Sequence, residues 1–194
     1  MLPEITLVIA SYLLGSVPTG LLLGKALGVD IRTTGSGNIG ATNVYRTLGR
    51  KVGILTLLGD CLKGLIPLLA AHWLGLPDIW TAAAGFAAFF GHVYTVFLRF
   101  KGGRGVATAL GVFLGTSPLS VLAAIGVFAL VLWKWRYVSL ASITTAAAMP
   151  LFVAVIDGRP LIIVMTLLIA AIVIWKHHEN ISRLRSGTEN KFKA

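Results

Sequence analysis

Apolar residues dominate this chain in long, nearly unbroken runs, and the interruptions are glycine, proline and basic residues. About 20 apolar residues in a helix cover the roughly 30 Å of bilayer hydrocarbon, so runs of this length read as membrane crossings. Set against the breakers, the pattern predicts spans near residues 4–26, 52–74, 79–98, 106–116, 119–133, 138–156 and 160–176. The fourth is short: its apolar stretch before Thr116-Ser117-Pro118 rises only about 15 Å, and one kinked helix running on to Trp133 is the alternative. The expectation is an all-α, polytopic membrane helix bundle, a single domain over 1–194.

Composition and charge then choose between the two topologies. The chain is 56% hydrophobic and 12% charged, half the charge of an ordinary soluble domain at about 25%. Its net charge of +10 sits in short loops. With seven spans and the N-terminus outside, every Lys and Arg from Lys25 to Lys193 except Lys63 and Arg159 falls on the cytoplasmic side. Fusing the fourth and fifth spans divides the cations almost evenly. The positive-inside rule therefore selects seven transmembrane helices, one of them short, with the N-terminus outside and the C-terminus cytoplasmic. Trp73, Trp80, Trp133, Trp135 and Trp175 fall at span ends, where interfacial anchors belong, and Glu4, Asp78 and Asp157 mark the outer ends. Orientation thus accounts for the basic charge without a nucleic acid. The lone Cys61 allows no internal disulfide. No basic region precedes the first apolar stretch, so that helix is expected to be retained.

This topology gathers three polar segments at the cytoplasmic face. The first is Gly35-Ser36-Gly37-Asn38-Ile39-Gly40-Ala41-Thr42-Asn43-Val44-Tyr45-Arg46. Small residues admit a ligand close to the backbone, Ser36, Asn38, Thr42 and Asn43 supply neutral hydrogen-bonding groups, and Arg46 at a helix start can grip an oxyanion bidentately. A flexible linker is the bland alternative. The second runs Arg99-Phe100-Lys101-Gly102-Gly103-Arg104-Gly105 into a predicted helix. Its glycine N–H groups, the helix N-terminus and the charges of Lys101 and Arg104 suit a phosphate; a glycine turn within a topogenic charge cluster fits equally well. It is not a Walker A loop. The third, 177–191, is a basic tail in which the adjacent His177 and His178 share no helix face, which disfavours a shared metal. Within the spans, Asp60 and Lys63 stand three apart, spaced for an ion pair, and His92 reads as a packing residue.

Together these segments resemble three motifs of the bacterial acyl-phosphate:glycerol-3-phosphate acyltransferases (PlsY). They are Gly35–Arg46, then Gly91-His92-x4-Phe97 leading into Phe100–Thr108, then His177-x-x-Asn180-Ile181-x-Arg183-Leu184 with Gly187-x-Glu189-x-Lys191. Asp60-x-x-Lys63-Gly64 is similar as well. The resemblance spans the chain in the family's order. One departure is Arg104, where the family usually has Lys: the charge stays and the donor geometry changes.

The resemblance implies transfer of a fatty acyl group from acyl phosphate to the 1-hydroxyl of glycerol 3-phosphate, giving lysophosphatidic acid and phosphate. It implies Ser36, His177 and Asn180 as catalytic residues. It implies Asn38, Thr42, Asn43, Arg46, Lys63, Lys101, Gly102, Gly103, Arg104 and Gly105 as substrate and phosphate ligands. No metal, cofactor or acyl-CoA is implied, nor any obligate protein partner beyond the bilayer. The location implied is the bacterial inner membrane, with the site at its cytoplasmic face. Two proton acceptors compete: His177 as general base, or the departing phosphate itself, with Ser36, His177 and Asn180 only binding. The sequence offers no evident carboxylate partner for His177, which favours the second. A multi-pass transporter of a small anion is the other functional class, but it wants polar groups near the midplane, whereas here they collect at one face.

Overall fold

A computed structural model describes residues 1–192, and Lys193, one of the cations assigned to the cytoplasmic side, lies outside them. All regular structure among the described residues is helical: α1 (Leu2–Ser16), α2 (Thr19–Ala26), α3 (Ala41–Leu48), α4 (Arg50–Trp73), α5 (Asp78–Val93), a 3-10 turn (Val96–Leu98), α6 (Val106–Thr116), α7 (Pro118–Trp135), α8 (Val138–Ile156), α9 (Pro160–Lys176) and α10 (His178–Arg185). Four stretches, α4, Asp78–Leu98, α7 and α8, are long and apolar enough to cross a membrane alone. The bent pairs α1–α2 and α9–α10 raise the number to six. The 11-residue α6 rises only about 16 Å. The protein is a multi-pass helical membrane protein.

Two expectations are corrected. The span foreseen as continuous over 4–26 is two helices bent by 41°. Pro18 has no N–H to extend α1, and the carbonyls released at the break find other donors. Thr95 Oγ1 donates to the Ser16 carbonyl at 2.6 Å, and Lys63 Nζ donates to that of Val17 at 2.7 Å. A break inside hydrocarbon persists only with such partners. The second correction is at the other end. The segment after Lys176, foreseen as a tail, turns by 53° and continues as α10.

The chain packs as two compact units that divide after Thr116. In the first, α1 lies along α5 and α4 along α6. A methyl placed on Gly15 would overlap the Ala88 backbone, and one on Gly64 would overlap that of Thr108, so backbones here approach as closely as small residues allow. α4 is inside-out relative to a soluble helix. Leu55, Leu58, Leu62 and Leu69 are exposed while Thr56, Asp60, Lys63 and Gly64 are buried, as expected where apolar chain faces lipid. Beneath the chain between α2 and α3, Leu21, Ile31, Ile39 and Val44 form a small core, with Leu48, Val52 and Leu98 against it. In the second unit α8 packs on both α7 and α9, and α10 packs on α8 and α9.

Candidate active site

The first polar segment is a folded loop rather than a linker, and Asn43 organises it from inside. Its side chain is buried, 2% exposed. Nδ2 donates to the carbonyls of Ile31, Thr34 and Asn38 at 3.0, 3.1 and 2.9 Å, and Oδ1 accepts the Ser36 N–H at 2.8 Å. Two amide hydrogens facing three carbonyls leave Asn43 no donor for a ligand, so the expected phosphate contact gives way to a structural one. Asn38 Oδ1 accepts the Gly40 N–H at 2.8 Å. Ser36 is exposed, and Arg46 is exposed in the last turn of α3 rather than at a helix start; Thr42 lies in that helix's first turn. At the loop's entry Arg32 hydrogen-bonds Asp30, with Nη2–Oδ2 at 2.6 Å, and holds its carboxyl at a pKa of about 2.

The second segment folds back onto the end of α5. The N–H groups of Gly102 and Gly103 donate to the carbonyls of Val93 and His92, both at 3.1 Å, and those of Phe100 and Lys101 to Thr95 and Leu98. These bonds satisfy carbonyls that a helix end leaves open. They also take the glycine amides that the sequence had suggested for phosphate. The need for glycine lies in contact: a methyl on Gly102 would overlap the His92 and Val93 carbonyl oxygens, and one on Gly103 the His92 ring. Gly105, at φ +84°, lies against the Phe89 ring. Lys101 is exposed and Arg104 half-buried. Leu98, just before this segment, packs on the core beneath the first loop, so the two segments share a foundation.

Lys63 goes elsewhere. Its ammonium lies 2.8 Å from Asp60 Oδ1 as well as on the Val17 carbonyl, with both charged side chains 4% exposed or less. His92 Nδ1 stands 3.7 Å from the same Asp60 oxygen. The foreseen ion pair is present, and Lys63 adds a contact at the helix break.

In the second unit His177 occupies the joint between α9 and α10. Its Nδ1–H donates to the Val173 carbonyl at 2.7 Å, which in a neutral ring puts the lone pair on Nε2. Asn180 is 3% exposed. Its Nδ2 donates to Glu189 Oε1 at 2.7 Å. Because a carboxylate only accepts, the amide cannot be the other way round, and Oδ1 faces away; it is buried with no hydrogen-bond partner among the described residues. Glu189 also accepts Ser139 Oγ at 2.8 Å and Arg183 Nε at 2.7 Å. Burial pushes its carboxyl up, but the bonds from Arg183, Asn180 and Ser139 outweigh that and hold it below the usual value. Glu189 stands in the third motif, but no helical spacing links it to Asn180, since α10 ends at Arg185. Among the described residues no three His, Cys, Asp or Glu side chains gather as a metal site requires.

A protein-family model described as Glycerol-3-phosphate acyltransferase matches residues 5–187. The glycerol-3-phosphate acyltransferase of Geotalea daltonii is 73% identical over 193 residues, covering all of both chains. That of Geobacter sulfurreducens is 69% identical over 194 residues, with the same coverage. The crystal structure of PlsY (YgiH), an integral membrane glycerol 3-phosphate acyltransferase in its glycerol 3-phosphate form, aligns with TM-score 0.94 at 45% identity, over 98% of this chain and 96% of that one. Its lysophosphatidic acid form aligns with TM-score 0.92 at 44% identity and the same coverage. With identity this high across its whole length, the chain belongs to the glycerol-3-phosphate acyltransferase family.

Proposed function

We propose that this protein transfers a fatty acyl group from acyl phosphate to the 1-hydroxyl of glycerol 3-phosphate. The hydroxyl oxygen bonds to the acyl carbon, the bond from that carbon to the phosphate oxygen breaks, and the products are lysophosphatidic acid and phosphate. The names and ligand states of the relatives support the acyl acceptor. The observation that carries the reading is the fixed orientation of His177 and Asn180. Val173 takes the Nδ1–H of one and Glu189 an amide hydrogen of the other, so each turns an acceptor, Nε2 and Oδ1, away from its anchor. Acceptors suit hydroxyl donors. His177 Nε2 is accordingly the proton acceptor for the attacking hydroxyl, in preference to the departing phosphate, and Asn180 orients the glycerol.

Phosphate is a good leaving group, so the remaining demand is placement of two anions and stabilisation of the developing oxyanion. Arg46, with Ser36, Asn38 and Thr42, serves one phosphate; Lys101 and Arg104, presented by Gly102–Gly105, serve the other. Asn43 and Lys63 act by shaping the framework. The site faces the cytoplasm at the bacterial inner membrane, with the N-terminus outside, and reporter fusions after residues 50, 104, 136 and 190 are expected to report cytoplasm.

Purified protein given acyl phosphate and glycerol 3-phosphate is expected to release phosphate only when both are present, with lysophosphatidic acid seen by mass spectrometry. Acylation from acyl-CoA but not from acyl phosphate would overturn the donor assignment. Equal kcat in His177→Asn and His177→Gln to that of the unaltered protein would overturn the base.

A further inference from the structure

Asp78–Leu98 is one apolar stretch of 21 residues, about as long as bilayer hydrocarbon is thick. The chain therefore leaves the hydrocarbon near Leu98, and the next two residues adopt an uncommon backbone. Arg99 and Phe100 both lie in the left-handed region, at φ 52° and 63°. Residues other than glycine rarely do so, and such angles persist only where the surroundings fix them. Here they are fixed from both sides. Thr95 Oγ1 donates to the Ser16 carbonyl at 2.6 Å, the Phe100 N–H donates to the Thr95 carbonyl at 2.8 Å, and Leu98 packs on the core beneath the first loop. Glycine would make the same turn without strain, and glycines follow at 102 and 103. The turn alone does not call for an arginine and a phenylalanine; their side chains must supply the reason.

Those side chains face outward. Val96, Phe97 and Phe100 are 40, 59 and 59% exposed, and Arg99 between the two rings is exposed as well. No Asp or Glu occurs between Asp78 and Asp157, and among the described residues Arg99 pairs with no carboxylate. A rigid turn at the hydrocarbon boundary thus presents two rings flanking a cation that the protein itself leaves unneutralised. We infer that the 96–100 turn is a docking surface for an anionic phospholipid, with Phe97 and Phe100 among the acyl chains and the Arg99 guanidinium on the lipid phosphate. Rings suit the acyl boundary, a long cationic side chain reaches up from it to the headgroups, and a guanidinium matches phosphate oxygens bidentately. Arg99 has no part in the reaction proposed above, so this contact is separate from substrate binding.

The test is native mass spectrometry of the protein released from phosphatidylcholine nanodiscs that contain phosphatidylglycerol. The unaltered protein is expected to retain phosphatidylglycerol in preference to phosphatidylcholine. Arg99→Gln should lower that retention by about fivefold, the scale of one cation at an anionic membrane surface, and Arg99→Lys should restore most of it. Phe100→Gly should lower it too, while its unfolding temperature in neutral detergent holds or rises, because glycine relieves the backbone. Retention unchanged in both Arg99→Gln and Phe100→Gly would overturn the inference. A fall in unfolding temperature with retention intact in Phe100→Gly would do the same, since the ring would then serve packing. Displacement of the lipid by inorganic phosphate or glycerol 3-phosphate would make this a soluble-anion site and overturn the lipid assignment. A dimer in the spectra that Phe100→Gly dissolves would give the surface to a second copy of the chain, with the same consequence.

Discussion

The loop before α3 and the segment before α6 look alike as sequence, both glycine-rich and cationic, yet they are held by opposite means. In the first, one side chain does the holding: Asn43 gathers three carbonyls and an N–H from a chain that otherwise has few bonds of its own. In the second the main chain does it, by amide bonds onto the end of α5 in a space that excludes Cβ atoms. Glycine therefore means different things in the two places. Around Asn43 it lets the backbone turn toward a hub; at 102–103 it lets the backbone lie flat on a helix. The first arrangement fails when a donor is lost, the second when an atom is added.

The largest effect is expected from the hub. Asn43→Ala leaves several buried backbone groups without partners, at about 1–3 kcal/mol each, and should lower the unfolding temperature and remove more than about 10²-fold of activity. Asn43→Asp is the sharper variant, because it keeps the acceptor for Ser36 and loses both donors. Near-normal activity in Asn43→Asp would break the distinction drawn here. Next comes Gly102→Ala, which pushes a methyl against the His92 and Val93 carbonyl oxygens. It should cost about 10²-fold in kcat/KM with a smaller fall in unfolding temperature than Asn43→Ala.

A third, smaller effect belongs to Glu189, a hub of the Asn43 kind built around a charge. Glu189→Gln offers Asn180 an amide that can pair either way round, and should lower kcat/KM for glycerol 3-phosphate by about tenfold, the scale of a hydrogen bond to a charged group. The pH dependence follows in sign. The folded carboxyl titrates below its usual value, so its contribution is complete above about pH 5 and is lost as pH falls through the lower folded pKa. The acid limb of the unfolding temperature should flatten in Glu189→Gln, and an unchanged limb would remove Glu189 from the account. Smallest of all is Asp30→Asn. The Asp30–Arg32 pair lies at the surface of the same loop, and exposed pairs contribute little. Activity should stay within about twofold, showing that the loop is held from its interior.

What the sequence made legible was whatever is written locally. The run from Val52 to Leu74 reads as a helix because its apolar length outweighs one breaker, Pro67, and α4 spans Arg50–Trp73 with that proline inside it; Asp60 and Lys63 read as a pair because three residues separate them. Pro18 was a visible breaker inside an expected helix, and the apolar run around it hid the signal. The contacts that shape the candidate site are long-range, and spacing does not carry them. Lys63 pairs as foreseen, but its second partner is a carbonyl 46 residues earlier. Asn43 reads as a ligand donor because its polarity is visible and its burial is not. Gly102 and Gly103 suggested amides pointed at phosphate, and only the path of α5 shows where those amides go.

The break between α1 and α2 also constrains how the protein is made. Its two exposed carbonyls wait for Lys63, 46 residues downstream of Val17, and for Thr95, 79 downstream of Ser16. While the ribosome is still adding those residues, the first apolar segment enters the bilayer with unpaired backbone groups, each a burden of several kcal/mol in hydrocarbon. Its early shape during synthesis is therefore not its final one: the segment reaches its bent form only once α4 and then α5 have arrived, and a chain stalled before Thr95 would leave the insertion machinery with that first helix unfinished.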